Sequence, residues 1–271
     1  MKQYSLHTVC DEAHCPNVGE CWGAGTATFM IMGELCTRAC RFCNVKSGKP
    51  DGLLDPEEPA NVARAVKDLD LKYVVITSVD RDDLPDGGAS HFAQTITAVR
   101  SAAPDARVEA LIPDFAGYLV EIQKVVRASP DVIGHNLETT EPLTPKVRDP
   151  RASYRLSLKV LEQIKQLDRQ VFTKSSLMLG LGEREDDVVQ TLRDLRAVGT
   201  DFLTLGQYLR PSPRNLPVVE YVTPEKFSQY RSIAEQLGFR YVASGPLVRS
   251  SYRAGDYFVS KIIENKHGRA S

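Results

Sequence analysis

Three cysteines lie close together in the segment CTRACRFC, where Cys36, Cys40 and Cys43 have the spacing C-x3-C-x2-C. Thiolates are ligands for soft metal ions, and an odd number of them in a tight loop is unsuited to disulfides. Three cysteines can hold three irons of a [4Fe–4S] cluster, whose usual complement is four, and so leave one iron open to a small molecule. A zinc site with three protein ligands is the alternative, although the chain has only five histidines.

A second group of cysteines precedes this loop. Cys10, Cys15 and Cys21 have the spacing C-x4-C-x5-C, and residues 44–271 contain no cysteine. Cysteines that only filled a core would be spread along the chain. In a chain without a secretion signal, this segregation indicates metal ligands rather than disulfides.

The composition is that of an ordinary globular protein. The chain has 271 residues, 42% hydrophobic and 25% charged, which allows one large domain or two small ones. A formal net charge of −1 gives no general attraction to nucleic acid or to an anionic membrane. No apolar run approaches the ~18–20 residues of a membrane span, and the first residues, MKQYSLHTVC, lack the apolar core of a signal peptide. We therefore predict a cytoplasmic protein without membrane or nucleic-acid partners.

The elements that must position these cysteines are strands and helices in alternation. Short apolar runs rich in β-branched residues predict strands at 26–33, 72–79, 106–112, 131–138, 170–179, 201–208 and 239–245. Apolar residues near helical spacing predict helices at 56–71, 88–102, 117–128, 153–168, 184–199 and 223–238. Gly199 and Gly238 are expected to close the last two helices. This alternation predicts parallel strands covered by helices.

The number of strand–helix units favours an α/β fold of the partial (β/α)6 barrel type. Six units start with the strand before the cysteine loop, which is short of the eight that close a full barrel. A doubly wound sheet is the competing arrangement. We predict a barrel over residues 26–245, an N-terminal extension over 1–25 and a C-terminal tail over 246–271. Chemistry in such folds occurs at the carboxyl ends of the strands, so CTRACRFC would lie at the mouth of the barrel.

The cysteine loop resembles the C-x3-C-x2-C loop of the radical S-adenosylmethionine (SAM) enzymes, including the aromatic residue Phe42 before its last cysteine. The fold of that family is a partial (β/α)6 barrel. The resemblance implies that the open iron of a [4Fe–4S] cluster chelates SAM through its amino and carboxylate groups. An electron from the cluster would then yield a 5′-deoxyadenosyl radical, which abstracts hydrogen from carbons too unreactive for acid–base chemistry.

The other motifs resemble those of one radical SAM subfamily, the lipoyl synthases. The segments CPNVGECW, residues 15–22, and RSSY, residues 249–252, are close to motifs of that family. The resemblance implies that the three N-terminal cysteines hold a second, auxiliary [4Fe–4S] cluster, with Ser251 as its fourth ligand. A serine alkoxide is a hard ligand for iron, so this bond would be labile, as is appropriate for a cluster that is taken apart.

The same resemblance implies a substrate and further partners. The substrate would be an octanoyl chain linked to a lysine of a lipoyl carrier domain, with sulfur inserted at C6 and C8. Neither carbon has an acidic hydrogen, so two SAM-derived radicals would activate them in turn, and the auxiliary cluster would supply the sulfur. The other partners would be an electron donor such as ferredoxin or flavodoxin and an iron–sulfur carrier that rebuilds the cluster.

Polar residues that follow the predicted strands are candidates for contacts to SAM. The resemblance favours ribose or methionine contacts for Asn136 and Glu138, and Arg148 can form two parallel bonds to the SAM carboxylate. The remaining cofactor candidates are Phe42, Thr77, Ser78, Asp80 and Met178, the last against adenine. Each has an ordinary structural alternative, such as a turn residue, a solvated charge or a core methionine.

The candidates for substrate contacts are Lys174, Gln207, Tyr208 and Arg249. Gln207 and Tyr208 end the sixth strand and can line a cavity between the two clusters, whereas Arg249 can hold the auxiliary cluster or its bound product. No general acid or base is expected, because the clusters and SAM would carry the chemistry. His14 and His135 are expected not to be metal ligands.

Two other interpretations stay open at this point. A different sulfur-inserting radical SAM enzyme, resembling biotin synthase, would have another ligand set for its second cluster. A non-catalytic iron–sulfur or zinc scaffold would use the cysteines for structure alone.

Overall fold

Helices and strands alternate along the chain as the sequence pattern predicts. The computed structural model describes residues 6–9 and 17–252. Its strands are β1 (His7–Thr8), β2 (Thr26–Ile31), β3 (Leu35–Cys36), β4 (Lys46–Ser47), β5 (Tyr73–Ser78), β6 (Arg107–Leu111), β7 (Val132–Gly134), β8 (Phe172–Leu179), β9 (Phe202–Gln207) and β10 (Tyr241–Gly245). Its α-helices are α1 (Val18–Gly23), α2 (Glu58–Asp68), α3 (Ala89–Ala102), α4 (Leu119–Arg127), α5 (Thr144–Val147), α6 (Tyr154–Leu167), α7 (Glu185–Ala197) and α8 (Pro224–Gln236).

Eight strands form one sheet in the order β1-β2-β5-β6-β7-β8-β9-β10. From β2 to β10 every neighbouring pair is parallel. Apart from the short β3 and β4, which pair with each other, neighbours in the sheet are also successive in the chain. A doubly wound sheet would reverse its strand order partway along, so this order confirms the predicted barrel-type arrangement.

The sheet does not close into a full barrel. Among the described residues, β2 does not pair with β10, and its outer edge pairs instead with the two-residue β1, antiparallel, through His7↔Met30 and Thr8↔Phe29. We call the gap between β2 and β10 the open seam. The boundaries between a barrel and two extensions, at residues 25 and 245, stay a prediction.

Each long helix packs an apolar stripe against the outer surface of the sheet. In α2 the buried Val62 and Val66 are one turn apart, and α3 buries Phe92, Ile96 and Val99 at similar intervals. Burial of each such side chain contributes about 1.5–3 kcal/mol to folding. Within the described part of the chain, no helix combines the length and the apolarity needed to cross a bilayer.

Capping residues set the ends of these helices. The side chain of Ser153 accepts a hydrogen bond from Leu156 N at the start of α6, which satisfies one of the free amides of the first turn. Gly199 and Gly238 follow α7 and α8 with φ values of +84° and +90°. That left-handed conformation is accessible to glycine without strain, so the predicted closure by these two residues is confirmed.

The lower half of the barrel interior, at the amino ends of the strands, is filled by side chains. Tyr73 Oη donates to Glu109 Oε2 at 2.8 Å, and Lys174 Nζ lies 3.0 and 2.9 Å from the two Glu109 oxygens. The rings of Phe172 and Phe202 stack nearby, with centroids 5.0 Å apart. Because the buried carboxylate is both ion-paired and hydrogen-bonded, its desolvation is offset. This layer forms the floor of the interior.

Candidate active site

The cysteine loop lies at the carboxyl ends of the strands, where the sequence predicts it. Cys36 ends β3, and Cys40 and Cys43 follow in the next turn. All three line one cavity of about 270 Å³, which we call the loop cavity. Residues that end or follow β5, β6 and β7 also line it, among them Thr77, Ser78, Asp80, Ile112, Asp114, His135, Asn136 and Glu138.

Burial makes the three thiols weak acids. It raises the pKa of Cys36 to about 11, with the nearby Asp80 carboxylate adding to the rise, and the pKa of Cys40 to about 12. The pKa of Cys43 is raised by burial as well. Backbone amides oppose this effect, since Arg38 N–H and Asp80 N–H each donate to Cys36 Sγ at 3.4 Å and Asp149 N–H donates to Cys40 Sγ at 3.3 Å. Metal cations at the sulfurs would offset the burial and stabilise the thiolates.

Cys36, Cys40 and Cys43 come from one loop and line one cavity. Across residues 6–9 and 17–252, no three His, Cys, Asp or Glu side chains are arranged to hold a single metal ion. In a [4Fe–4S] cluster each cysteine binds a different iron. Three thiols around one cavity are the ligand set of a cluster with one open iron.

Two polar atoms beside the thiols, Ser78 Oγ and Arg148 Nε, are buried and have no hydrogen-bond partner in the described chain. Both residues line the loop cavity. Arg148 is otherwise fixed, because its Nη1 donates to Ser157 Oγ at 2.8 Å and to Leu137 O at 3.4 Å. Buried polar groups are nearly always hydrogen-bonded, so these atoms indicate a polar ligand. A guanidinium with a free donor is well matched to a carboxylate such as that of SAM.

A hydrogen-bonded chain orients Arg148. His135 Nδ1 lies 2.9 Å from Ile112 O, which can only accept, so Nδ1 carries the proton and Nε2 accepts from Ser157 Oγ at 2.9 Å. The Ser157 oxygen in turn accepts from Arg148. Burial, together with the positive charge of Arg148, lowers the pKa of His135 to about 4. His135 is therefore a neutral wall residue at pH 7.

Glu138 has φ +69°, a left-handed conformation that is uncommon for a residue with a side chain. The neighbouring strand fixes it, since Glu138 N–H donates to Ser176 O at 3.0 Å and Met178 N–H donates to Glu138 O at 2.9 Å. Burial raises the pKa of its carboxyl, while Arg148 and a hydrogen bond from Asn136 oppose the rise. Strain of this kind is common at functional sites. The left-handed backbone places Glu138 on the wall of the loop cavity and of a second cavity beside it.

Asp80 lies between the cysteine loop and the end of β5. Burial raises its pKa to about 6, and Arg38, whose Nη1 is 3.4 Å from Asp80 Oδ1, limits the rise. The carboxylate is therefore mostly ionised at pH 7 and can accept from an ammonium group. Thr77, in contrast, already donates its hydroxyl hydrogen to Leu111 O at 3.0 Å.

A second cavity of about 440 Å³, which we call the inner cavity, adjoins the loop cavity. The residues that line both are Val9, Phe42, Asn136, Glu138 and Ser250. Three of the predicted site residues, Met178, Gln207 and Tyr208, line the inner cavity and neither of the other two cavities described here. Met178, expected against adenine, therefore faces the inner cavity. The shared wall makes the two cavities adjoining parts of one space.

Gln207 and Tyr208 line the inner cavity with their polar atoms already occupied. Gln207 Nε2 donates to Glu220 O at 3.0 Å, and its Oε1 accepts from Val222 N at 2.9 Å. Tyr208 Oη donates to Leu216 O at 2.9 Å. These bonds hold the segment after β9 in place and leave mainly the carbon surface of both side chains for contact with a ligand.

Lys174 is not part of the lining of either cavity. It is 6% exposed and its ammonium is held by both oxygens of Glu109, in the floor of the barrel. The structure therefore corrects the prediction of a substrate contact at this position. Alternate residues of a strand face the same side, and Ser176, two positions further along β8, is the one that reaches the inner cavity.

Two of the four candidates for the auxiliary cluster lie together at the open seam. Cys21 on α1 and Ser251 line a small cavity of about 20 Å³ together with two threonines of β2. Ser251 lines the inner cavity as well. Cys10, Cys15 and His14 lie outside the described residues. The structure thus brings one cysteine of the N-terminal trio next to the serine of the RSSY segment.

A few hydrogen bonds join the RSSY region to the N-terminal helix. Tyr252 Oη lies 3.2 Å from both carboxylate oxygens of Glu20, and Asn17 Nδ2 donates to Leu247 O at 2.9 Å. Arg249 Nη1 donates to a carbonyl of its own segment at 2.7 Å. Arg249 lines both the inner cavity and the small cavity at the seam.

Several charged residues around the cysteine loop were not predicted: Arg38, Asp82, Asp114, Asp149 and Arg151. Arg38 lies inside CTRACRFC, so its place among the cysteines was the available signal. Asp82 and Asp114 follow strands, as site residues of barrels do. Asp149 accepts from Ala39 N at 2.9 Å across 110 residues of chain, and such a contact has no sequence signature.

Sequence relatives identify the family. The family model of the radical SAM superfamily matches residues 30–195. The chain is 59% identical over 259 residues to the lipoyl synthase of Thermus thermophilus, an alignment that covers 96% of this chain and 80% of that protein. It is also 59% identical over 266 residues to the lipoyl synthase of Anaeromyxobacter dehalogenans, with 98% and 90% covered.

Solved structures have the same architecture. The FeFe-hydrogenase maturase HydG from Carboxydothermus hydrogenoformans matches with a TM-score of 0.60 over 90% of this chain and 66% of its own, at 13% identity. Methylornithine synthase (PylB) matches with a TM-score of 0.55 over 99% and 91%, at 11% identity. At such identities the likeness shows the fold alone. The family follows from the much closer sequence relatives: the chain belongs to the lipoyl synthases, enzymes of the radical SAM superfamily.

Proposed function

We propose that this chain inserts sulfur at C6 and C8 of an octanoyl chain attached to a lysine of a lipoyl carrier domain. The observation that carries the proposal is the wall shared by the loop cavity and the inner cavity, with the cysteine loop on one side and Ser251 on the other. A radical source and a sulfur source placed so would act on the same substrate. The volume of the inner cavity is within the range of small-molecule sites and large enough for an eight-carbon chain.

Cys36, Cys40 and Cys43 would hold a [4Fe–4S] cluster with one open iron. With SAM bound, that cluster would supply a 5′-deoxyadenosyl radical, the reagent needed for carbons that no general base can activate. The chain itself would orient SAM. The free donor of Arg148 would bind the carboxylate, and the ionised Asp80 would accept from the ammonium group.

Asn136, Glu138 and Ser78 would complete the contacts to SAM. Ribose hydroxyls are donors, and the Glu138 carboxylate on the shared wall can accept from them. The buried Ser78 hydroxyl beside the cysteines can bond the methionyl end. Phe42 lies on both cavities and would separate the nucleoside from the alkyl chain. The Phe42 side chain is apolar and needs no hydrogen-bond partner in this position.

Cys10, Cys15, Cys21 and Ser251 would hold the auxiliary cluster. This cluster is a substrate, because it gives up its sulfur. The position of Cys21 and Ser251 on one cavity supports the assignment, and a hard alkoxide among soft ligands would ease its breakdown. Arg249, which lines the same cavity, would contact the cluster or the thiolated intermediate.

Further partners follow from the need for electrons and for new sulfur. We expect a one-electron donor such as ferredoxin or flavodoxin and an iron–sulfur carrier that rebuilds the auxiliary cluster after turnover. Both clusters would need a reducing compartment, for which we propose the cytosol. With a formal net charge of −1, we expect neither nucleic acid nor membrane among the partners.

An anaerobic assay tests the proposed function. Protein with reconstituted clusters is mixed with an octanoyl-lysine peptide, SAM and a reductant, and the peptide is followed by mass spectrometry. We expect a 6-thio-octanoyl intermediate and then the lipoyl product. SAM cleavage with no sulfur in the peptide would contradict the proposal, and sulfur in a different substrate would favour an enzyme resembling biotin synthase.

Metal analysis tests the cluster count. Two clusters correspond to about eight iron and eight sulfide per chain, four of each for every cysteine trio. Zinc without sulfide would instead support a non-catalytic scaffold.

A further inference from the structure

Charged side chains that the proposed function does not use surround residues 36–40 of the cysteine loop. They are Arg38, Asp82, Asp114, Asp149 and Arg151, and we call this set the charged clamp. Arg38 belongs to the loop itself, and the other four residues come from three segments far apart in the chain. The contacts below show that the clamp fixes both the backbone of the loop and the amides that reach its sulfurs.

Arg38 anchors the loop from inside. Its side chain is 5% exposed, and its Nη1 and Nη2 donate to the two oxygens of Asp114 at 2.6 and 2.8 Å. Its Nε and Nη2 donate to the two oxygens of Asp82 at 3.0 and 2.8 Å. Two forked pairs on one guanidinium leave it little freedom. The loop is thereby tied to the segments that follow β5 and β6.

Arg151 anchors the loop from outside. Its Nη2 donates to Thr37 O at 2.6 Å, its Nη1 to Asp82 at 3.1 Å and its Nε to Asp149 at 2.8 Å. The other oxygen of Asp149 accepts from Ala39 N at 2.9 Å. The backbone on both sides of Arg38 is thus held by the segment between α5 and α6.

The segments that carry the clamp also reach the sulfurs. Asp149 N–H donates to Cys40 Sγ at 3.3 Å, and Asp80 N–H, two residues before Asp82, donates to Cys36 Sγ at 3.4 Å. Hydrogen bonds to the sulfurs and the net charge nearby are two of the factors that set the potential of an iron–sulfur cluster. The clamp can therefore influence both the hydrogen bonds to the sulfurs and the charge near them.

The charges of the clamp do not cancel. Asp82 and Asp114 each accept two hydrogen bonds from Arg38, and both oxygens of Asp149 accept from Arg151. The clamp thus contains three carboxylates and two guanidiniums, a formal charge of −1. Asp80 and Arg148, which line the loop cavity beside it, have opposite formal charges.

We propose that the charged clamp holds the cysteine loop in its cluster-binding shape and that its charges set the reduction potential of the cluster bound there. This rests on the proposed function only in requiring a cluster at the loop. Reduction adds an electron, so a nearby carboxylate opposes it and a nearby guanidinium favours it. The residues act through the loop and are positioning residues, since none of the clamp contacts requires them to touch SAM.

Two variants of opposite charge test the electrostatic part. Asp82→Asn removes a negative charge and Arg151→Gln a positive one, and both side chains are partly exposed, at 29% and 50%, so the fold should tolerate the changes. Arg155→Gln is the control, because Arg155 is 71% exposed and pairs with Glu141. The reconstituted holoenzyme is titrated at low ionic strength, following the electron paramagnetic resonance signal that changes when SAM is added.

We expect the potential of that SAM-responsive cluster to rise in Asp82→Asn, to fall in Arg151→Gln and to stay unchanged in Arg155→Gln. High salt should shrink both shifts, because the two residues are partly exposed. Shifts in the same direction, or shifts no larger than the control, would overturn the electrostatic part. A wild-type protein without a SAM-responsive signal would overturn the proposed function instead.

A chelator challenge tests the mechanical part. Arg151→Lys keeps the charge but loses the forked contact to Thr37 O and Asp149. We expect it to lose loop iron several-fold faster than the wild type while its cluster potential stays near the wild-type value. Iron loss at the wild-type rate would overturn the positioning role. If Arg151→Gln retains too little cluster to titrate, Asp82→Asn and Arg151→Lys still decide both parts.

Discussion

The cysteine loop and the RSSY segment both carry expected cluster ligands, but they are attached to the barrel differently. Residues 36–40 are held by the buried Arg38–Asp114 ion pair and by part-buried contacts from Asp82 and Asp149, and two sulfurs receive backbone N–H groups. Residues 247–252 contact the N-terminal helix through bonds such as Asn17–Leu247 and the exposed Tyr252–Glu20 pair.

The difference matches the two roles proposed for the clusters. A cofactor that is kept through many turnovers gains from a site that is rigid before it binds, because less order is lost on binding. A cluster that is consumed and rebuilt needs a site whose parts can separate. Under the proposed function, the described contacts of residues 36–40 suit the cluster that is kept, and the exposed Tyr252–Glu20 pair suits the site that is rebuilt.

The largest expected effect is on the loop side. Cys40→Ala removes one of three thiol ligands, and we expect SAM cleavage to fall by more than about 100-fold, because loss of outer-shell partners alone usually reduces metal-site activity by 10–100-fold. Formation of 5′-deoxyadenosine, measured by chromatography, checks this. Cleavage near the wild-type rate would mean that the loop does not hold the SAM-binding cluster.

Cys21→Ala should separate the two regions. Cys21 lies at the seam and not on the loop cavity, so we expect SAM cleavage to persist while no thiolated peptide forms. The two products are measured in the same reaction mixture. If Cys40→Ala and Cys21→Ala both lose only sulfur transfer, the assignment of the two regions is reversed.

Acid should destabilise the loop side through His135. Burial holds the pKa of His135 near 4, whereas in the unfolded chain it is about 6.5. The stability that depends on a neutral His135 is complete above about pH 6.5 and declines as the pH falls toward 4, by up to about 3 kcal/mol. Urea unfolding at pH 7 and pH 5 measures the loss, which should be smaller in His135→Gln. Equal losses in both proteins would contradict this role.

The smallest effect should come from Arg148→Lys, which keeps the charge but loses the second parallel bond to a carboxylate. One charge-assisted hydrogen bond corresponds to about 1.5 kcal/mol, so we expect SAM to bind about tenfold more weakly. Anaerobic calorimetry measures the Kd, with Arg155→Lys as a matched control. An unchanged Kd would remove Arg148 from the SAM contacts.

The sequence predicted the strands, the helices and the place of the loop because these follow from short-range patterns. Periodicity marks each strand, and parallel strands put their carboxyl ends on one side. What it could not predict depends on pairs distant in the chain. Lys174 faces inward as its strand requires, but only the fold shows that Glu109, 65 residues away, meets it in the floor.

The left-handed backbone of Glu138 was equally hidden. Nothing in the segment GHNLETT requires φ +69°, which arises from the bridge between Glu138 and Leu177 on the next strand. Arg38 lies between cysteines that were predicted to be metal ligands, and no role was predicted for the arginine itself. Its aspartate partners are 44 and 76 residues away in sequence, so the clamp is a property of the fold.

The open seam leaves β2 and β10 unpaired with each other among the described residues. A fully closed barrel is entered from its ends, whereas here Thr26, Thr28 and Ser251 line a small cavity at the side of the sheet. Under the proposed function, a carrier could deliver fresh iron and sulfide from the flank while the mouth is occupied by the acylated domain. Sulfur would then be supplied at the side of the barrel, and SAM would be exchanged at its mouth.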